Sequence, residues 1–212
     1  MMNKQMLING NFVPASDGAV LESTSPIDGR LLGTFPSAND ADLALAVSSA
    51  ASAQKSWAAL SLNQRAEYLL KAADFLASAE DEITKLQCVE SGKPYAQCKG
   101  EYSGVPTVFR SCVAAAMHDY GHVYPNTADG ACISDLTMTV TEPLCVICCM
   151  GPFNFPISNL SYKVAAALIM GNTVIMKAAS DVALTTILYT EVLQQTAFPA
   201  GVLQVVTGPG NR

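Results

Sequence analysis

Residues 144–150, Leu144-Cys145-Val146-Ile147-Cys148-Cys149-Met150, form an unbroken apolar run that stops at Gly151-Pro152. A short apolar run bounded by prolines and glycine predicts a parallel strand covered on both faces. The next stretch, ISNLSYKVAAALIMG (157–171), has the spacing of an amphipathic helix that ends at Gly171. TVIMKA (173–178) then reads as a second buried strand and VALTTILYTEVLQQT (182–196) as a second helix. GVLQVVTG (201–208) reads as a third strand. The order β-α-β-α-β predicts a parallel sheet with right-handed crossovers. The expected class is therefore α/β, with an incomplete Rossmann-like sheet over residues 144–212.

Upstream the texture differs. LTMTVTEP (136–143) alternates apolar residues with Thr, as an exposed or edge strand does. Residues 123–137 are rich in turn formers. Before them lies a helical region. Asn39 or Asp40 can cap a helix over 40–60, and Ser61 one over 62–79 with Leu69, Leu70, Ala73 and Leu76 at core spacing. A third helix is expected from about Glu80 to Ser91, with Gly92 suited to its end. Pro94 opens a further helix that Gly100, Gly104 and Pro106 should weaken or kink, and the helical pattern resumes over 107–121. The first residues read as short strands around two turns, Asn9-Gly10 and Asp28-Gly29. They suggest a surface hairpin that precedes the main domain. Three stretches result: 1–122, a hairpin and helices; 123–143, a strand segment; and 144–212, the sheet.

The chain has 212 residues, half of them hydrophobic and 14% charged, which supplies a core and argues against intrinsic disorder. Eighteen acidic residues against twelve basic ones give a net charge of −6 and argue against a nucleic-acid partner. No run of apolar residues is long enough to span a membrane, and the first residues do not resemble a secretory signal. Seven cysteines with no regular framework read as reduced thiols of a cytoplasmic protein. Cys145, Cys148 and Cys149 resemble a C-x-x-C site, but neighbours on a strand point to opposite faces. They read as core thiols, with a metal or redox site as the alternative. No metal is expected.

Ligands of parallel sheets sit beyond the carboxyl ends of the strands, so the residues just after each strand matter most. These are Met150-Gly151-Pro152-Phe153-Asn154-Phe155-Pro156, then Lys177 and Ser180, then Thr207-Gly208-Pro209-Gly210. No G-x-G-x-x-G follows the first strand, so the usual dinucleotide fingerprint is absent. Gly208-Pro209-Gly210 alone is compatible with a plain turn. Asn154 stands between two aromatics and two prolines that stiffen its loop. A stiffly held amide can donate to a developing oxyanion, or an Asn can satisfy its own loop backbone. Lys177 could meet a phosphate or a ribose, or be a solvated residue at a strand end.

Together these segments resemble the aldehyde dehydrogenase superfamily over nearly the whole chain. The resemblance is carried by Glu142-Pro143-Leu144, Gly151-Pro152-Phe153-Asn154-Phe155-Pro156, Ala167, Gly171-Asn172-Thr173-Val174, Lys177, Phe198-Pro199-Ala200-Gly201-Val202 and Thr207-Gly208-Pro209-Gly210. Glu90-Ser91-Gly92-Lys93-Pro94 agrees as well. The resemblance implies NAD(P)+-dependent oxidation of an aldehyde to a carboxylate, through attack by a cysteine and hydrolysis by a water that a glutamate activates. It makes Asn154 the oxyanion-stabilising residue and Lys177 a contact of the adenosine ribose. It places Met150, Gly151, Pro152 and Phe153 along the cofactor cleft and Gly210 near the adenine. It also implies a homo-oligomer whose oligomer-forming strand is Leu136 to Pro143, and a substrate tunnel to which Ser158 and Tyr162 could contribute.

Several departures qualify this. The glutamate of the E-L-G-G-K motif and the nucleophilic cysteine with its following residues are missing, and none of the seven cysteines matches that nucleophile. The 212 residues alone are therefore expected to be inactive. Three alternatives stay open: an N-terminal portion that needs a complementing C-terminal chain, a non-catalytic nucleotide-binding or interaction fragment, and a fragment without a stable fold. The family usually carries Pro-x-Glu after the lysine; here the residues are Ala178-Ala179-Ser180. A serine there removes a charge that would repel a 2′-phosphate, which leans the cofactor from NAD toward NADP. Cys145, where the family has glycine, and Pro106 in a helical stretch have no functional account.

Overall fold

A computed structural model describes residues 1–118, 121–124 and 136–210. Three strands of the expected parallel sheet are present: β8 (Val146–Met150), β9 (Thr173–Lys177) and β10 (Leu203–Val206). β8 and β10 flank β9, both parallel to it. The crossovers are the helices α6 (Pro156–Ile169) and α7 (Ala183–Gln194). The α/β class follows as expected.

The N-terminal hairpin corrects the sequence reading. Its strands β2 (Met6–Ile8) and β3 (Asn11–Val13) turn at Asn9 and Gly10, which hold φ of 51° and 78° as a tight primed turn requires. But the hairpin is no surface appendage: β2 pairs antiparallel with β10, giving a five-stranded sheet in the order β3-β2-β10-β9-β8. Met6, Leu7 and Ile8 are all buried. β1 (Met2–Asn3), β4 (Val20–Thr24) and β5 (Leu31–Pro36) form a separate three-stranded sheet, with the Asp28-Gly29 turn between β4 and β5.

Alternation along the strands sorts the core into two layers. Met6, Ile8, Ile175 and Val206 pack with Ala46 and Ala50 of α1 (Asp40–Ala59). Leu7, Cys149, Val174, Met176, Leu203 and Val205 pack on the other side, with α6, α7 and α2 (Leu62–Ser78). Both α1 and α2 begin with capping boxes, Asn39 with Asp42 and Ser61 with Gln64. Leu69, Ala73 and Leu76 are buried as their spacing predicts, whereas Leu70 is 38% exposed. α3 (Glu80–Ser91) ends at Gly92 in the left-handed region. The weak helix expected after Pro94 breaks into α4 (Tyr95–Tyr102) and α5 (Val105–Ala116). Pro106 lies in the first turn of α5, where a missing N–H costs nothing, so it is not a mid-helix defect.

Two further expectations change. β8 is an edge strand and is not covered on both faces: Cys149 is buried, but Cys145 and Cys148 are exposed, so one thiol of the three belongs to the core. The strand foreseen over Leu136 to Pro143 is reduced to β7 (Thr137–Met138), paired with β6 (Val123–Tyr124). Cys132 and the turn-rich residues 125–135 lie outside the described residues. Among the described residues, no helix is long and apolar enough to cross a membrane.

Candidate functional site

Sheet register creates the candidate site. Met150 pairs with Lys177, and Lys177 pairs with Val206, so three strands end level at their carboxyl edge. The ladder continues one step, with the Gly151 N–H donating to the Lys177 carbonyl at 3.0 Å. Gly151 is there for close approach: a Cβ on it would stand 3.0 Å from Cδ1 of the buried Leu160 on α6. Lys163, one turn along α6, donates from Nζ to the Met150 carbonyl at 2.8 Å.

The loop then runs through Pro152, Phe153, Asn154 and Phe155 to Pro156, the first residue of α6. Met150 is 64% and Phe153 63% exposed, so apolar side chains border the loop on its open side. Asn154 is exposed, and among the described residues its side-chain amide has no hydrogen-bond partner. Its backbone carbonyl accepts from Lys93 Nζ at 3.2 Å.

Lys177 is half-buried, and its Nζ donates to the Ala178 carbonyl at 2.6 Å. Burial pulls its pKa below the ordinary lysine value. Ser180 opens a short 3-10 helix, Ser180–Val182, and its hydroxyl donates to the Gly208 carbonyl at 3.1 Å. That bond ties the loops after β9 and β10 together. Gly210 is exposed, and a Cβ there would meet nothing within 4 Å.

A cleft of about 750 Å³ opens beside this edge. Its lining includes Glu90, Lys93, Phe153, Asn154 and Ser180. Met150, Gly151, Lys177 and Gly210 do not line it. The predicted residues therefore fall into two neighbouring groups, one on the sheet edge and one in the cleft. Among the described residues, no cluster of three or more His, Cys, Asp or Glu side chains could hold a metal ion.

Sequence reasoning missed the buried groups behind the cleft. The Glu90 carboxylate accepts from the backbone N–H groups of Leu184 (2.9 Å) and Thr185 (2.7 Å), capping α7 from a distant helix. Glu101 on α4 does the same for α6 through Ser158. Glu90 and Lys93 stood in the quoted Glu-Ser-Gly-Lys-Pro motif, but Glu101 carried no local signal. Burial pushes the Cys98 thiol up to about 11 and the Cys149 thiol up to about 11.

The aldehyde dehydrogenase family model matches residues 12–212. The chain belongs to the aldehyde dehydrogenase family. An alpha-ketoglutaric semialdehyde dehydrogenase of Bacillus subtilis (strain 168) is 32% identical over 205 residues, covering 96% of this chain and 41% of that protein. The crystal structure of an NADP-dependent glyceraldehyde-3-phosphate dehydrogenase from Bacillus halodurans C-125, complexed with NADP, superposes with a TM-score of 0.95 at 30% identity. That match covers 100% of this chain and 44% of the other. An NAD-dependent aldehyde dehydrogenase from Sinorhizobium meliloti matches with a TM-score of 0.91 and 30% identity, over 99% of this chain and 42% of the other. The chain thus spans less than half the length of each of these aldehyde dehydrogenase relatives.

Proposed function

We propose that these residues form the cofactor-holding portion of an NAD(P)+-dependent aldehyde dehydrogenase, which oxidises an aldehyde to a carboxylate. The observation that supports this is the level carboxyl edge of β8, β9 and β10, where dinucleotides bind in sheets of this kind. The residues there fit such a group. Lys177 brings an ammonium and Ser180 a hydroxyl to that edge, and Gly210 leaves open space beside it. When bound, the nicotinamide accepts the hydride.

Each residue then has a task. Lys177 donates to the adenosine ribose. Phe153 walls the cleft, Met150, Gly151 and Pro152 border the cofactor along the neighbouring sheet edge, and Gly210 leaves room near the adenine. Ser180 places no negative charge where a 2′-phosphate would lie, which favours NADP over the NAD of other relatives. Asn154 donates its free amide to the oxyanion that develops on the aldehyde carbon's oxygen. None of the cysteines stands in the family's nucleophile motif; Cys98 and Cys149 are in addition buried, and Cys145 sits at the opposite end of β8 from Asn154. We infer that the 212 residues alone do not turn over aldehydes. Residues 1–122 and 144–212 act as the cofactor unit, and residues 123–143 serve oligomerisation. The exposure of Leu136, Met138 and Val140 supports that last role.

Calorimetric titration of NAD+ and NADP+ tests the reading. The intact chain should bind at least one of them saturably, and Lys177→Ala should weaken that binding by about tenfold. A folded chain that binds neither overturns it.

A further inference from the structure

We infer that Lys93 and Glu101 are positioning residues for Asn154, an ion pair that holds the Asn154 loop at both ends. The inference rests on the oxyanion reading of Asn154 given above. It starts from the turn after α3. Gly92 takes a φ of 71° at the helix end, and a Cβ there would press on Pro26 at 2.9 Å. This turn delivers Lys93 to the Asn154 loop. The Lys93 side chain is 15% exposed and the Glu101 side chain 1%.

Lys93 Nζ donates to Glu101 Oε2 at 2.8 Å and to the Asn154 carbonyl at 3.2 Å. It also lies 3.7 Å from the centroid of the Phe155 ring. The other carboxylate oxygen, Glu101 Oε1, accepts from the Ser158 N–H at 3.3 Å and from its hydroxyl at 3.4 Å. Gln87 Nε2 completes the carboxylate's shell at 2.7 Å. One charged pair thus grips a carbonyl at Asn154 and an N–H at Ser158, while Pro152 and Pro156 fix φ at either side. Lys93 holds the Asn154 backbone, and the Asn154 side chain is left to the cleft. A buried ion pair is a poor source of stability compared with apolar packing, so its use here is geometric.

The test is backbone 15N relaxation on the 212-residue chain. Phe153, Asn154 and Phe155 should show order parameters of about 0.85 in the wild type. Lys93→Met should drop Asn154 below about 0.6, leave β9 unchanged, and be rescued by Lys93→Arg. Glu101→Gln, which keeps size and the Ser158 contact, should loosen the same residues and serves if Lys93→Met does not fold. The clamp is overturned if Asn154 stays rigid in both variants, if it is already mobile in the wild type, or if loosening spreads equally into β9. These readings need no substrate. A rigid clamp, together with unchanged turnover on Asn154→Ala in a complete enzyme, overturns the oxyanion reading alone.

Discussion

The side-chain oxygen of Asn172 accepts a 3.0 Å hydrogen bond from the backbone N–H of Cys145, tying the start of β8 to the turn before β9. The Asn172 amide also donates to the Ala167 carbonyl at 3.1 Å, so one buried side chain braces a strand, a helix end and a turn. The bracket holds Cys145 at a φ of 100°, a conformation that disfavours any side chain. Cys145→Gly should therefore raise stability by about 1 kcal/mol, and Cys145→Ala should not. Urea unfolding followed by the fluorescence of Trp57, the single tryptophan and a buried one, measures both.

Gly151→Ala should cost about 1–3 kcal/mol, because the new methyl meets Leu160 in a packed layer. Combining it with Leu160→Ala should recover part of that cost. The two single effects would then be non-additive by more than about 0.5 kcal/mol. Strict additivity would mean that the loop moves freely away from α6.

Thiol chemistry should separate the exposed cysteines from the buried ones. At pH 8, iodoacetamide should label the exposed Cys145 and Cys148 and spare Cys98 and Cys149, which are buried with pKa values pushed to about 11. Peptide mapping by mass spectrometry reads this out. Early labelling of Cys149 would show that β8 opens in solution.

Ser180→Glu puts a carboxylate beside the Gly208 carbonyl. It should lower affinity for NADP+ relative to NAD+ by about tenfold, or about 1.4 kcal/mol. Calorimetry with both nucleotides gives the ratio, and an unchanged ratio would remove Ser180 from the specificity argument.

Burial raises the Glu90 carboxyl above its ordinary value, more than the hydrogen bonds from Thr185, Leu184 and Ser23 lower it. The folded chain therefore binds that proton more tightly than the unfolded chain. Glu90's contribution is largest below the ordinary carboxylate range and declines as pH rises through it to the raised folded value. Glu90→Gln cannot titrate, so the difference in unfolding free energy between it and the wild type should change across that window and be flat above it.

The helix starts at Asn39 and Ser61, the stop at Gly92 and the turn at Asn9-Gly10 were legible because each depends on contacts within about four residues. The β-α-β-α-β order was legible for a similar reason, since the period of apolar residues reports one element at a time. Asn154, Lys177 and Ser180 could be singled out once the strand ends were placed. Their roles came from the family resemblance.

What lay beyond such reading is long-range pairing. Leu7 sits opposite Val205, so the first hairpin completes a sheet built by the far end of the chain. Alternation tells which face a residue takes, but not which strand edge it will meet. The apolar run of β8 could not announce that one of its faces stays open, because burial depends on which helices arrive. Asn154 lies 61 residues beyond Lys93 and meets the Lys93–Glu101 pair only after α4 and α6 have packed. Charged side chains ordinarily face water, and only the packing of α6 against α4 and the turn before it makes these two a clamp.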